Sequence, residues 1–205
     1  MEKFVTFTGV VAGVDRANID TDALIPKEHL KSIKRTGFGA ALFSDWRYND
    51  DGSDKPDFVL NKPETSGAEI LVTRSNCGCG SSREHAVWAV VQYGFKAIIA
   101  PRQDEQPGFA DIFNNNCSKN GLLTIELSDE QVDGIFQTLE KEPGVKAMID
   151  LENEKVTLYA SAGDQVYAFK ANAAVRDKLL NGLDDIALTL QYDADITAFE
   201  SKRAV

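Results

Sequence analysis

The sequence predicts an α/β fold, and three features of the chain support that prediction. A short apolar run at 69–73 is followed by a glycine-rich loop, a helical stripe over 83–93 and a second apolar run at 95–100. Because a helix joins the two apolar strands, we expect them to be parallel. Further along, three short strand patterns are followed by helical ones. Strands and helices that alternate in this way are typical of the α/β class.

The first half of the chain contains one further strand and two loops. Phe4–Val14 alternates apolar residues with threonine, and we expect a strand of the mature protein rather than a signal peptide. Asn49–Thr65 combines Gly52 and prolines with many acids, which predicts a surface loop, and 101–108 is a second polar loop. Gly94 lies where the central helix should end in a left-handed cap.

The second half contains a capped helix, three strands and two more helices. Ser128 and Gln131 have the spacing of a capping box and predict a helix to about Glu140, ended by the Pro-Gly pair at 143–144. The remaining predicted elements are Lys146–Leu151, Val156–Ala160, Gln165–Lys170, Ala173–Leu180 and Asp193–Glu200. No repeat or change of composition divides the chain, so we expect a single domain over 1–205.

Composition limits the possible functions. The 205 residues, 43% of them hydrophobic, are enough for one sizeable core. The net charge of -10 argues against nucleic acid or an anionic membrane as a partner. No apolar stretch reaches the roughly 20 residues of a membrane helix. Three cysteines cannot all pair with one another, so we expect a reducing compartment, the cytoplasm.

The most unusual segment is 77–85, Cys-Gly-Cys-Gly-Ser-Ser-Arg-Glu-His, at the start of the central helix. Free N–H groups at a helix N-terminus, together with glycines, favour an anion, whereas dinucleotide, P-loop and hydrolase-elbow signatures are absent. The spacing of Ser81 to Glu84 also fits a capping box that needs no catalytic role. Ser82 and Arg83 could form a solvated first turn, although a cation there opposes the helix dipole and indicates a bound carboxylate or phosphate.

The cysteines and histidines give weak signals. Cys77 and Cys79 form a Cys-x-Cys pair and Cys117 is remote, which is the spacing of neither a zinc site nor a cluster motif. We expect free thiols, with Cys117 packed in the core. His29 and His85 are interpreted as ordinary polar or packing residues.

Two further segments could reach the same ligand. Asp-Thr-Asp at 20–22 occupies a turn-like setting, where its carboxylates could orient a basic partner or cap a helix. Lys27, Lys31, Lys34 and Arg35 form the densest basic cluster of an acidic chain. That cluster is either a solvated helix face or a loop that binds a dicarboxylate.

Together these motifs resemble the small subunit of bacterial 3-isopropylmalate dehydratase. The matching segments follow the family's order and span nearly the whole chain: 18–26 (NIDTDALIP), 35–39 (RTGFG), 45–48 (DWRY), 78–86 (GCGSSREHA), 109–113 (FADIF), 120–123 (NGLL) and 182–191 (GLDDIALTLQ). Because that subunit is similar to the swivel domain of aconitase, the resemblance implies a layered β/β/α domain. Such a domain closes over an active site held mostly by another chain.

The resemblance also implies an activity and its partners. The activity is that of a hydro-lyase of leucine biosynthesis, which dehydrates 2-isopropylmalate to an unsaturated diacid and rehydrates it to 3-isopropylmalate. The Lewis acid would be a 4Fe-4S cluster on the large subunit, and this chain would hold no cofactor or metal of its own. The implied partners are that large subunit and a small dicarboxylate substrate.

Site residues carry over by position. The resemblance implies that Ser81 is catalytic, because its alkoxide would remove the carbon-bound proton beside a carboxylate. It implies substrate-binding roles for five further residues: Ser82, Arg83, Arg35, Asp22 and Thr21. The chain departs from the family pattern at Cys77 and Val87, and 102–107 resembles an insertion.

Three kinds of function remain open at this point. The first is a hydro-lyase subunit, with isopropylmalate or a related diacid such as homoaconitate or a methylated malate as substrate. The second is a non-catalytic anion-binding module in which Ser81 only caps the helix. The third is a metal module that uses Cys77, Cys79 and a histidine.

Overall fold

The computed structural model describes residues 1–31, 35–103 and 106–203. Within these ranges the chain forms seven strands in one sheet, with helices packed on it. The strands are β1 (Phe7–Val14), β2 (Ile70–Thr73), β3 (Ala97–Pro101), β4 (Leu123–Leu127), β5 (Lys146–Asp150), β6 (Lys155–Ala160) and β7 (Gly163–Ala168). The helices are α1 (Thr21–Leu24), α2 (Ser44–Arg47), α3 (Glu84–Tyr93), α4 (Asp111–Lys119), α5 (Asp129–Lys141), α6 (Ala173–Asn181), α7 (Asp185–Leu190) and α8 (Asp193–Ser201). The predicted α/β class is confirmed.

The sheet combines a parallel half with an antiparallel half. Its strand order is β4-β3-β2-β1-β5-β6-β7. β1 to β4 run parallel, as predicted for β2 and β3, and β5 to β7 form an antiparallel meander. The first half of β1 pairs with β5 (Phe7 opposite Ile149) and its second half with β2 (Val11 opposite Ile70). β1 therefore joins the two halves, and the sheet curls around it.

The strand period of two divides the core between the two faces of the sheet. In β3, Ile98 and Ala100 join the cluster that includes residues of α3 and α4, whereas Ala97 and Ile99 join the cluster of α5 and α6. Because helices cover both faces, every residue of β3 is buried. The apolar run that predicted this strand is thus explained by burial on both sides.

Most predicted elements are present close to their expected bounds. Gly94 ends α3 with a φ of 125°, and Ser128 and Gln131 form the predicted capping box of α5. β7 lies slightly earlier than the predicted strand at 165–170. β4, α4 and α7 were not predicted.

The proposed surface loop at Asn49–Thr65 requires correction. Phe58 and Val59 pack against the cluster that includes residues of α3 and α4, which we call the first core cluster, and Leu60 is buried within it. This apolar triplet draws the second half of the segment inward, where it forms two 3-10 turns. Only the first half behaves as a surface loop.

The parallel strands place three loops at one edge of the sheet. The carboxyl ends of β1, β2 and β3 lie side by side, so the segments that follow them leave the sheet together; their described residues are 15–20, 74–83, 102–103 and 106–110. Such edges are where open α/β sheets bind ligands. Lys34 of the basic cluster, and Asp104 and Glu105 of the apparent insertion, lie outside the described residues. Among the helices that are described, none combines the length and apolarity needed to cross a bilayer.

Candidate active site

The loop that follows β2 is held between the other two loops by backbone hydrogen bonds. The Gly78 N–H donates to the carbonyl of Ile19 at 2.7 Å, and the Cys77 N–H donates to the carbonyl of Gly108 at 2.9 Å. These bonds extend the parallel pairing of the sheet beyond the ends of its strands. The three loops therefore form one structural unit.

Gly78 is required where this loop passes α4. Its φ is 79°, in the left-handed region, and a Cβ at this position would overlap the ring of Phe113. Phe113 is itself buried in the first core cluster, so it has little room to move. A larger residue at position 78 would therefore displace the loop from α4.

The Asp-Thr-Asp segment attaches to the glycine-rich loop through Thr21. The Thr21 N–H donates to the carbonyl of Cys79 at 2.9 Å, and its hydroxyl donates to the carbonyl of Ser81 at 2.7 Å. Asp20 caps α1, since its Oδ1 accepts the Ala23 N–H at 2.7 Å. The capping interpretation is thus confirmed for Asp20, while Thr21 fixes two distant loops to each other.

Asp22 forms an ion pair with Arg83. Nη1 of Arg83 donates to Oδ1 of Asp22, and the exposed fractions of the two side chains are 16% and 43%. Asp22 therefore orients a basic partner, which was one of the two roles considered for it. Because a guanidinium carries several N–H donors, the remaining donors of Arg83 stay available to a ligand.

The capping-box interpretation of Ser81 is wrong. α3 begins at Glu84, its N-cap is Arg83 with extended backbone (φ −137°), and no side chain caps it. The cause is a tertiary contact, because the bonds from Thr21 hold the backbone at Cys79 and Ser81 to the neighbouring loop, and the helix begins only after them. Ser81 is exposed, and no hydrogen bond joins its hydroxyl to another described residue.

A cleft of about 260 Å³ opens beside these residues. It is lined by Thr21, Gly78, Gly80, Ser82, Arg83, Ala110, Asp111, Ile112 and Phe113. Both α3 and α4 begin here, and in the described structure neither N-cap supplies a capping side chain. The first N–H groups of two helices therefore offer hydrogen-bond donors at the cleft, beside the carboxylate of Asp111 in the first turn of α4.

The wall formed by 110–113 was missed as part of the site. The resemblance had matched this segment without giving it a role. The available signal was its position after the third of three parallel strands, since their carboxyl ends share an edge.

Arg35 lies in a neighbouring depression and not in the cleft. Its guanidinium carbon is 5.6 Å from the centre of the Trp88 ring, and its carbonyl accepts from Gln92 at 2.8 Å. The depression, of about 270 Å³, also includes Glu84, in the first turn of α3. The structure thus brings Thr21, Asp22 and 81–83 together. Arg35 lies outside this group, beside Glu84 and Trp88 of α3.

The thiols and imidazoles do not assemble into a metal site. Burial raises the pKa of Cys77 to about 12, and it raises the pKa of Cys117 well above its usual value. His85 packs 4.6 Å from the centre of the Trp88 ring, and His29 contacts a serine hydroxyl. Within 1–31, 35–103 and 106–203, no three His, Cys, Asp or Glu side chains are placed to share a metal ion. Cys117 packs in the core as predicted.

The amino-acid sequence matches two protein-family models and curated relatives. Residues 1–130 fit the family model described as the aconitase C-terminal domain, and residues 185–205 fit the model of the C-terminal domain of the 3-isopropylmalate dehydratase small subunit. The 3-isopropylmalate dehydratase small subunit of Desulforapulum autotrophicum is 52% identical over 207 residues, covering 99% of this chain and 96% of the relative. That of Neisseria meningitidis serogroup C is 50% identical over 212 residues, covering 99% and 95%.

A solved structure of 3-isopropylmalate dehydratase from Methanocaldococcus jannaschii shares the fold. Its TM-score is 0.62 at 23% identity, and the alignment covers 98% of this chain and 100% of that chain. The family model over 1–130, together with the shared fold, places the chain among the swivel-type domains of the aconitase superfamily. Within that superfamily, the chain belongs to the family of 3-isopropylmalate dehydratase small subunits.

Proposed function

We propose that this chain is the part of a 3-isopropylmalate dehydratase that binds the substrate carboxylates and supplies the base. One observation carries the proposal: two loops about sixty residues apart are tied together at a single cleft by the Arg83–Asp22 ion pair. The activity is the hydro-lyase reaction of leucine biosynthesis that interconverts 2-isopropylmalate and 3-isopropylmalate. Family membership supports this reaction over other reactions of diacids.

Binding of a dicarboxylate is the first task of the cleft. Arg83, with Nη1 held by Asp22, presents its other N–H groups in a fixed orientation that suits a carboxylate. Ser82 adds a hydroxyl donor on the same wall. The N-termini of α3 and α4 add backbone N–H donors, which a carboxylate would share with Asp111 and Glu84 of the same first turns.

Proton transfer is the second task, and we assign it to Ser81. Its alkoxide takes the proton from the carbon beside a carboxylate while hydroxide leaves the neighbouring carbon. A carbon–carbon double bond forms, the proton rests on the Ser81 hydroxyl and the hydroxide stays in the site. The hydroxide then adds to the carbon that lost the proton, and Ser81 gives its proton to the other carbon. If the diacid leaves instead, the proton of Ser81 and the hydroxide leave as one water and the alkoxide is restored. The bond from Thr21 to the Ser81 carbonyl holds the backbone in place, and the charge of Arg83 favours the alkoxide.

Departure of hydroxide would be assisted by a Lewis acid, for which the described residues place no set of ligands. Cys77 and Cys117 are buried thiols with raised pKa values, and the described part of the chain offers no set of cluster ligands. The family resemblance implies that a 4Fe-4S cluster would be held by the large subunit, where it would polarise the departing hydroxyl. Because Ser81 and Ser82 are exposed here, that second chain would also exclude water from the site.

Arg35 is the proposed second carboxylate-binding arginine. Its side chain lines the same depression as Glu84, the residue that follows Arg83 in the chain. The Arg35 guanidinium packs on the ring of Trp88. A substrate that extends past the first turn of α3 would reach it. Arg35 would then bind the carboxylate farther from Ser81.

The test is an anaerobic mixing assay. The chain is combined with the cluster-loaded large subunit encoded beside it, and formation of the unsaturated diacid from 2-isopropylmalate is followed by absorbance, with each chain alone as control. We expect turnover only in the mixture. If homoaconitate or a methylated malate is turned over instead, the hydro-lyase chemistry stands and the substrate is wrong. If no diacid reacts, the chain is an anion-binding module.

A further inference from the structure

The segment 35–39 lies on α3, and the side-chain amide of Gln92 joins the two. Nε2 of Gln92 donates to the carbonyl of Arg35 at 2.8 Å, and Oε1 of Gln92 accepts the Phe38 N–H at 2.9 Å. The nitrogen and the oxygen of one amide thus bind backbone groups three residues apart. The backbone at Gly39 passes so close to α3 that a Cβ there would overlap the carbonyl of Gln92.

The bend in this segment is not held by packing. Gly37 has a φ of 96°, and apart from its chain neighbours no described residue comes within 4 Å of the position of a Cβ. Glycine loses more conformational freedom on folding than any other residue. Phe38 is buried, with its ring centre 5.2 Å from that of His85, so it anchors the far side of the bend. The bonds that Gln92 makes across Gly37 therefore fix the backbone of Arg35 relative to that anchor.

The contacts of Arg35 direct its side chain toward the cleft. The Arg35 carbonyl is bonded at Gln92, whereas the guanidinium carbon lies 5.6 Å from the centre of the Trp88 ring. Trp88 is about one helical turn nearer the N-terminus of α3 than Gln92 is. Glu84 lies a further turn in that direction on the same face of the helix. The Arg35 side chain therefore runs along α3 toward the end where Arg83 lines the cleft.

The Trp88 ring is held in place by a separate set of bonds. Nε1 of Trp88 donates to Oδ1 of Asn120 at 3.1 Å, and Nδ2 of Asn120 donates to Oε1 of Glu84 at 3.1 Å. A guanidinium over the face of such a ring is attracted to it. Loss of the Gln92 amide would thus release the backbone of Arg35 while the bonds that hold the ring remain.

We propose that Gln92 is a positioning residue for substrate binding. Its amide holds the backbone of 35–38 on α3, so that the Arg35 guanidinium is directed toward the cleft before the diacid binds. This inference rests on the proposed function, because it takes Arg35 as the second carboxylate-binding arginine. Gln92 does not touch the substrate and acts through Arg35. Preorganisation of this kind lowers the entropy cost of binding, so its loss affects KM more than kcat.

The experiment removes the amide without adding a charge. Gln92→Met loses both bonds, and Gln137→Met makes the same change at an exposed glutamine of α5, on the other face of the sheet. Kinetics with 2-isopropylmalate are measured after assembly with the cluster-loaded large subunit. We expect Gln92→Met to raise KM about fivefold and to leave kcat within about twofold, whereas Gln137→Met matches wild type. In an Arg35→Met background, Gln92→Met should cause no further rise in KM.

A second measurement uses the chain alone. Hydrogen exchange of the Phe38 amide, resolved by NMR, should be about fivefold faster in Gln92→Met than in wild type, because the bond to Gln92 is lost. Gln137→Met should leave this rate unchanged. If Gln92→Met does not fold, Gln92→Ala, which also loses both bonds, takes its place in both experiments.

Three results would overturn the inference: an unchanged KM for Gln92→Met, an equal rise in KM in the Arg35→Met background, or an unchanged exchange rate of the Phe38 amide. A wild-type KM for Arg35→Met would also overturn it, because Arg35 would then not bind the diacid, while turnover in the mixture leaves the hydro-lyase function standing. Absence of turnover of any diacid by the wild-type mixture overturns both the inference and the proposed function.

Discussion

Ser81 and Ser128 share a sequence signature but differ in what their side chains do. Each is followed three residues later by Glu or Gln, the spacing of a capping box. Ser128 caps α5, whereas Ser81 lies outside its helix because Thr21 ties that stretch to another loop. Sequence spacing alone could not separate the two cases, since the tie comes from a residue sixty positions away.

We predict that the two serines contribute unequally to the free energy of unfolding. Ser128→Ala removes a helix cap and should lower the free energy of unfolding by about 1 kcal/mol. Ser81→Ala removes an exposed hydroxyl and should change it by no more than about 0.5 kcal/mol. Urea unfolding of both variants measures the difference. A loss at Ser81 equal to that at Ser128 would mean that its hydroxyl supports the fold.

Arg83 should matter for substrate affinity. Arg83→Lys keeps the charge but loses the planar fork, so we expect KM for the diacid to rise at least tenfold. Arg102→Lys is the control, because Arg102 pairs with Glu126 while remaining 68% exposed. Steady-state kinetics of the assembled enzyme measures both variants. An equal KM for wild type and Arg83→Lys would remove Arg83 from the binding site.

Because of the raised pKa of Cys77, we predict that the free energy of unfolding falls at alkaline pH. The pKa of its thiol is about 12 in the folded chain against a usual 9.0. Just above pH 9 the thiol therefore ionises in the unfolded chain and stays protonated in the folded chain. This contribution is fully present below pH 9 and is lost as pH rises toward 12, by about 1.4 kcal/mol per pH unit. Urea unfolding between pH 9 and 10.5 should therefore show a shallower pH slope for Cys77→Ala than for wild type. Equal slopes would contradict the burial of this thiol.

At the scale of elements, the sequence predicted the strands and helices whose burial or capping leaves a local sequence pattern. The apolar runs of β2 and β3, the stripe of α3 and the cap of α5 each leave a local pattern. α4 does not, because three of its nine residues are asparagines with poor helix propensity and it buries only Phe113 and Cys117. β4 is five residues long and alternates buried with half-buried positions, a pattern too short to be distinctive.

Packing of α4 against the glycine-rich loop gives a prediction of its own. Gly78→Ala should destabilise by about 2 kcal/mol more than Gly52→Ala. Both glycines have positive φ, but only at Gly78 would a methyl group overlap a buried ring, whereas Gly52 has open space. Urea unfolding of the two variants tests this. Equal losses would mean that the loop does not pack on Phe113.

At the scale of the whole molecule, the parallel half of the sheet places three loops side by side, and the site depends on that placement. The sequence identified two of these loops by their composition but could not show that they touch. The composition of 110–113 gave no sign of the third wall, and the available signal was its position after a parallel strand. The resulting cleft is lined in part by Ser82 and Arg83, which we propose bind the substrate, and Ser81, the proposed base, is exposed beside it.

The central claim is that this chain supplies the base of the reaction. The most direct test measures turnover of 2-isopropylmalate by the large subunit assembled with wild-type, Ser81→Ala or Ser128→Ala chain. We predict a loss of at least a thousandfold for Ser81→Ala with unchanged assembly, and near wild-type turnover for Ser128→Ala. Turnover by the Ser81→Ala complex within tenfold of wild type would contradict the account.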